Sequence, residues 1–231
     1  MIASSVVSFF PLILPAILIV LLAACASAPA PQRSYQDCVK VQPPQKRVDV
    51  SRQVSELQSG DVEREKSATR ELAKIGPPAV DAVSAITSSL FRSGKISFAM
   101  PGSYEDEAYK ALAAIAGENL VATAYQMLTI GLSAPPNERN SLDMAAALTG
   151  TMMLTYGNSS AVPCVCRVIS EDRNQRIQSI FLGSLQVLGT NDETLASHRG
   201  LILQTLQQAR QNAELKARAA QIEGLILKQA K

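Results

Sequence analysis

The chain has 231 residues, 47% of them hydrophobic, and a formal net charge of +2. That length admits one compact domain or a short repeat array with a core of useful size. The near-neutral balance, with no run of five Lys or Arg, excludes the basic stripe of a nucleic-acid binder. Trp is absent and Phe and Tyr number five each. Ala and Leu are abundant, and both lose little rotamer freedom in a helix. Strict alternation of β-branched and aromatic residues is scarce, so an all-α chain is predicted.

The first element is apolar. No charged side chain precedes Arg33, and a hydrophobic stretch runs from Val6 to Ala24, broken by Ser8, Pro11 and Pro15. About 19 apolar residues can just span a bilayer, but this stretch ends in Leu22-Ala23-Ala24-Cys25. An aliphatic residue, two small residues and a Cys resemble the lipobox of bacterial lipoproteins. The small residues let the chain enter a signal peptidase in extended form, and the thiol takes diacylglycerol before cleavage. The resemblance implies that residues 1–24 are a cleaved signal peptide and that Cys25 is the lipidated first residue of the mature chain. In that family the new amino group is usually acylated too, by palmitate for example. Ala26 stands where an Asp would signal inner-membrane retention. The expected address is therefore the cell envelope, with the outer membrane, facing the periplasm, favoured over the inner. The segment lacks the positive n-region usual in export signals.

Residues 25–48 contain Pro29, Pro31, Pro43 and Pro44 with little apolar periodicity. Proline removes a backbone donor and fixes φ, so no continuous helix can run through this stretch. It reads as a flexible, Pro-rich tether.

From residue 49 to 231 a spacing recurs. Ala68, Leu72 and Ile75 precede Gly76; Ala108, Leu112 and Ile115 precede Gly117; Thr149, Met153 and Tyr156 precede Gly157; Phe181, Leu185 and Leu188 precede Gly189. Each triplet lies at i, i+4, i+7, one face of a helix, and each Gly is placed to end that helix in a left-handed cap. The glycines are 41, 40 and 32 residues apart. A second helix is expected after each. The predicted inner faces are Val80, Val83, Ile86 (or Thr87) and Leu90; Val121, Tyr125 and Leu128; Val162, Val165 and Ile169; and Leu195, Ile202 and Leu206. Leu215, Ile222, Ile226 and Leu227 mark a last half-unit. Gly60-Asp61-Val62-Glu63-Arg64 leading to Leu72-Ala73-Lys74-Ile75-Gly76, then Ala79-Val80, resembles a HEAT repeat, especially the short bacterial kind related to bilin-lyase repeats. Gly157 with Ala161-Val162-Pro163, and Asp172 and Arg176 before Leu188-Gly189, carry the likeness onward. The resemblance implies a short α-solenoid of about four and a half helix pairs, in which stacked units share a core that no single pair could close.

The longest inter-unit loop, Arg92 to Ser103, holds Ile96, Phe98 and Met100. Apolar residues in a loop can contact a partner, or can fold back over the ends of the first two units. Beyond Cys25 there are Cys38, Cys164 and Cys166. An exported chain can hold disulfides. Cys164 and Cys166, two apart on a predicted helix, diverge and should not pair. Cys38 could reach either, or all three could remain buried thiols. The lone His198, near Leu195 and Leu201, fits a helix surface. No triad, phosphate loop or zinc motif is present, so no catalytic residue, metal ligand or cofactor is assigned.

The expected function is a membrane-anchored, non-enzymatic protein-binding scaffold in the cell envelope. Its partners are the membrane, through lipid on Cys25, and an envelope protein, with no nucleic acid and no small-molecule substrate. An envelope spacer is the alternative, and the bilin-lyase likeness allows a more distant one, a lyase-like enzyme or enzyme subunit.

Overall fold

A computed structural model describes residues 33–42, 46–93, 102–134, 141–189 and 192–229. All regular elements among these residues are helical. Two short helices come first: α1 (Tyr35–Val39) and α2 (Ser51–Glu56). Helix pairs follow. α3 (Val62–Ile75) leads through a 3-10 segment (Pro77–Ala82) into α4 (Val83–Ser93). Next come α5 (Tyr104–Ala116) with α6 (Leu120–Ser133), and α7 (Ser141–Tyr156) with α8 (Val162–Glu171). The last pair is α9 (Gln175–Gly189) and α10 (Asp192–Ala209), and α11 (Lys216–Gln229) closes the array.

Local chemistry explains where the helices start. The Asp61 carboxylate accepts from the backbone N–H groups of Glu63 and Arg64 at the head of α3. The Ser103 hydroxyl accepts from the Asp106 N–H at the head of α5, whose first turn holds Glu105, Asp106 and Glu107. Both arrangements satisfy donors that have no partner inside the helix and place negative charge at its positive end. Pro77 and Pro78 open the 3-10 segment, where a missing N–H costs nothing.

The first helices of successive pairs pack side by side, α3 on α5, α5 on α7, α7 on α9 and α9 on α11. The second helices form the other layer, with α4 on α6 and α8 on α10. Between the layers lie fully buried side chains, among them Leu72, Ile86, Leu112, Leu128, Met152, Met153, Phe181 and Leu182. Burying each such side chain contributes about 1.5–3 kcal/mol relative to exposing it. The predicted faces are mostly inside: Ala68, Ala108, Ile115, Val83, Thr87, Leu90, Val121, Val162, Val165, Ile169, Leu185, Leu188, Ile202, Leu206, Leu215, Ile222 and Ile226 are all buried. Ile75, Val80 and Tyr125 are half-buried. The side chain of Leu195 lies outside the described residues.

Two face assignments need correction. Tyr156 is 45% exposed and Leu227 44%. Tyr156 is the last residue of α7 and lies against the Tyr109 ring of α5, centroids 6.0 Å apart. Leu227 belongs to the closing helix, where Ile222 and Ile226 already fill the inward stripe.

The glycines also differ from the expected left-handed cap. Gly76 and Gly117 do have positive φ, but with ψ of −142° and −123°. This lies outside the αL region, in territory open essentially to Gly alone. Gly157 lacks positive φ. It is Gly for want of space, since a Cβ there would collide with the Met153 carbonyl oxygen and with the Leu188 side chain. Gly189 is the last residue of α9 itself, so it is not a separate cap.

The compact helical unit begins at Arg33, sixteen residues before the expected boundary at 49. The stretch 33–42 is therefore part of the folded body. No helix among the described residues is long and apolar enough to cross a membrane.

Candidate anchoring site

α1 is five residues long, and a helix that short is marginal by itself. A capping box holds its start. The Ser34 hydroxyl accepts from the Asp37 N–H, and the Asp37 carboxylate accepts from the Ser34 N–H at 3.2 Å and from the Ser34 hydroxyl at 2.7 Å. These bonds to the carboxylate hold Asp37 below the usual Asp range. The cap is therefore intact above the unfolded pKa of Asp and is lost as the pH falls through the depressed folded value.

Tertiary contacts then fix α1 in place. It lies against both α6 and α8, which make at most marginal contact with each other. The N-terminal helix thus fills a gap in the second-helix layer between the second and third pairs. Cys38, 2% exposed, is joined to Cys164 on the first turn of α8, with an S–S distance of 2.04 Å and a Cα–Cα distance of 5.1 Å. One turn earlier on α1, the Tyr35 hydroxyl donates to the Asp172 carboxylate at 2.5 Å, just past the end of α8. The same hydroxyl lies 3.2 Å from the Tyr125 hydroxyl on α6, with the rings edge to face at 88°. α1 therefore runs antiparallel to α8, stapled at one end and hydrogen-bonded at the other.

Beyond α1 the chain runs back towards the first pair. The Gln42 N–H donates to the Asn119 side-chain oxygen at 3.1 Å, and the Asn119 amide returns a bond to the Gln42 carbonyl at 3.3 Å. Arg47 pairs with Asp81 at 3.2 Å, and the Val48 N–H donates to the Pro78 carbonyl at 3.3 Å. Val50 and Leu57 are buried, and α2 packs on α3. Asn119, Pro78 and Asp81 all sit at turns between the two helices of a pair. The described residues 35–42 and 46–56 thus form a strap laid along those turns, from the third pair back to the first.

Burial, and then its bond to Asp172, keep the Tyr35 hydroxyl protonated and push its pKa well above the ordinary tyrosine value; Tyr125 is raised as well. Because the folded values exceed the unfolded one of about 10, this contact is intact below about pH 10 and weakens as the pH climbs through the folded values. A spectrophotometric titration at alkaline pH is expected to show late-ionising tyrosines. Tyr35→Phe should remove the last step.

The other residues singled out in the sequence are dispersed. Cys166 is a buried free thiol on α8. Burial pushes its pKa up to about 11, partly offset by a hydrogen bond with Thr205 on α10. Cys164 and Cys166 face different neighbours. His198 is half-buried on α10. Arg64 pairs at 2.7 Å with Glu56 of α2, while ion pairs between units include Arg70 to Glu107, at 3.4 Å, and Arg210 to Glu223, at 2.8 Å. Cys25, Ile96, Phe98 and Met100 lie outside the described residues. Arg92 and Ser103, which flank the loop holding the last three, line an open cleft of about 570 Å³ with Glu65, Lys66, Ser89 and Tyr104.

The strap was missed from sequence because the prolines around it read as spacer. Its signal was nevertheless present. Ser34-x-x-Asp37 is a helix start, and Tyr35, Cys38 and Val39 share one helical face. The class of protein that the geometry defines is an all-α array of packed helix pairs, closed by an N-terminal strap. No protein-family model matches the chain, and no curated protein matches it.

Proposed function

We propose that this chain is a lipid-anchored, non-enzymatic protein-binding scaffold of the bacterial cell envelope, held to the membrane through Cys25. The observation that carries the reading is the bridge between Cys38 and Cys164, taken with the lipobox thirteen residues upstream of Cys38. Disulfides persist in exported proteins and are rare in the reducing cytosol, so the bridge and the export signal favour the same compartment. The array of helix pairs, which resembles HEAT repeats, offers an extended surface of the kind such folds use for protein partners. Anchoring raises the effective concentration of a partner at the membrane. Ala26 favours the outer membrane over the inner.

Intact-mass analysis of the mature protein tests the anchor. The expected product begins at Cys25 and carries diacylglycerol and an amide-linked acyl chain. An uncleaved chain, or an unmodified Cys25, would overturn the reading. Thiol counting gives a second check. Unfolding without reductant should expose one thiol, Cys166, and adding a reductant should raise the count to three. Crosslinked envelopes should yield one reproducible protein partner, and repeated recovery of none would sink the scaffold reading.

A further inference from the structure

The strap changes what the tether can do. From Ala26 to Ser34 there are nine residues, and α1 follows immediately. Fully extended, about nine residues reach roughly 30 Å. Without α1 in place, and with the two Gln42–Asn119 hydrogen bonds released, the next hold on the chain is at Arg47 and Val48, through the Arg47–Asp81 pair and the Pro78 carbonyl. From Cys25 to there, roughly 22 residues could reach about 75 Å. The difference between these lengths rests on a five-residue helix, and the covalent part of its attachment is Cys38–Cys164.

We infer that the Cys38–Cys164 disulfide is a clasp that sets how far the helical body stands from the lipid surface, and makes the α1 end of the gap between α6 and α8 the point from which it hangs. The inference rests on lipidation of Cys25. The bridge joins the strap to the third pair, so pull on the lipid leash passes into α8 and stops there. Burial of both sulfur-bearing residues, 2% for Cys38 and 5% for Cys164, suits a permanent fixture, since an attacking thiolate has no open line to the bond.

The test uses the full-length mature lipoprotein in supported bilayers, with the height of the protein layer read by neutron reflectometry. A spacer of about 20 Gly/Ser residues spans roughly 25 Å root-mean-square. Placed between Arg33 and Ser34, it should raise the body by an amount of that order. The same spacer between Gln42 and Pro43 should leave the height unchanged, because the clasp lies upstream of it. In the Cys38→Ser, Cys164→Ser, Tyr35→Ala, Asn119→Ala variant, which also frees Gln42, the second insertion should raise the body as well. Equal elevation by both insertions in the bridged protein would overturn the inference, as would no elevation by either. Intact mass separates the anchor from the clasp. A diacylated Cys25 with either overturning pattern removes the clasp alone, whereas an unmodified Cys25 removes the anchor and the clasp with it.

Discussion

Replacing Cys38 and Cys164 together by Ser is expected to cost about 5 kcal/mol of stability if chain entropy alone governs the loss. The bridge joins residues 126 apart, a long loop for an unfolded chain to keep closed. Strain or residual structure in the reduced chain would bring the loss towards the commoner range of about 2–4 kcal/mol. Denaturant titration of the protein, with and without reductant, measures it directly. A loss below about 1 kcal/mol would show that the bridge contributes little to the fold. The single Cys164→Ser and Cys38→Ser changes should each act like the pair, because either one opens the same loop.

Phe181→Ala is expected to cost about 3–5 kcal/mol. Phe181 is wholly buried on α9, the helix that touches α7, α8, α10 and α11. The void left by its ring would be shared by the last two pairs and could close only if several helices moved together. Leu154→Ala on α7 is the control. Leu154 is 70% exposed, and such a surface change should stay within about 0.5 kcal/mol. Equal effects of the two substitutions would contradict the packing described here.

Much of the helical body was legible in the sequence because its signal is local. A triplet such as Ala108, Leu112 and Ile115 lies within one helix, and the pairing of that helix with the next follows from a short turn. The glycines are legible as punctuation, but their backbone is not. Gly76 and Gly117 share a φ sign with the expected cap and differ in ψ, which residue identity does not encode. Gly157 is set by the Met153 carbonyl and Leu188, a crowding visible only once α7 and α9 are packed. Tyr156 kept the apolar spacing and still reached the surface, because it is the last residue of α7. The strap was hidden for a different reason. Its partners, Tyr125, Cys164 and Asp172, lie 90 to 137 residues away in the chain, and no periodicity reports a contact at that range. The same distance left open which cysteine Cys38 meets.

The strap has a consequence for the order in which the molecule assembles. Helix pairs can form as soon as their own residues are available, since their contacts are near in sequence. The seat of α1 is built from α6 and α8, so the earliest part of the folded body has nowhere to dock until most of the chain has followed it. Contacts of such separation are slow to form. A nascent chain delivered from its N-terminus must therefore carry an unpaired Cys38 until Cys164 arrives, and closure of the strap is a late act of folding that reports on the completion of the third pair.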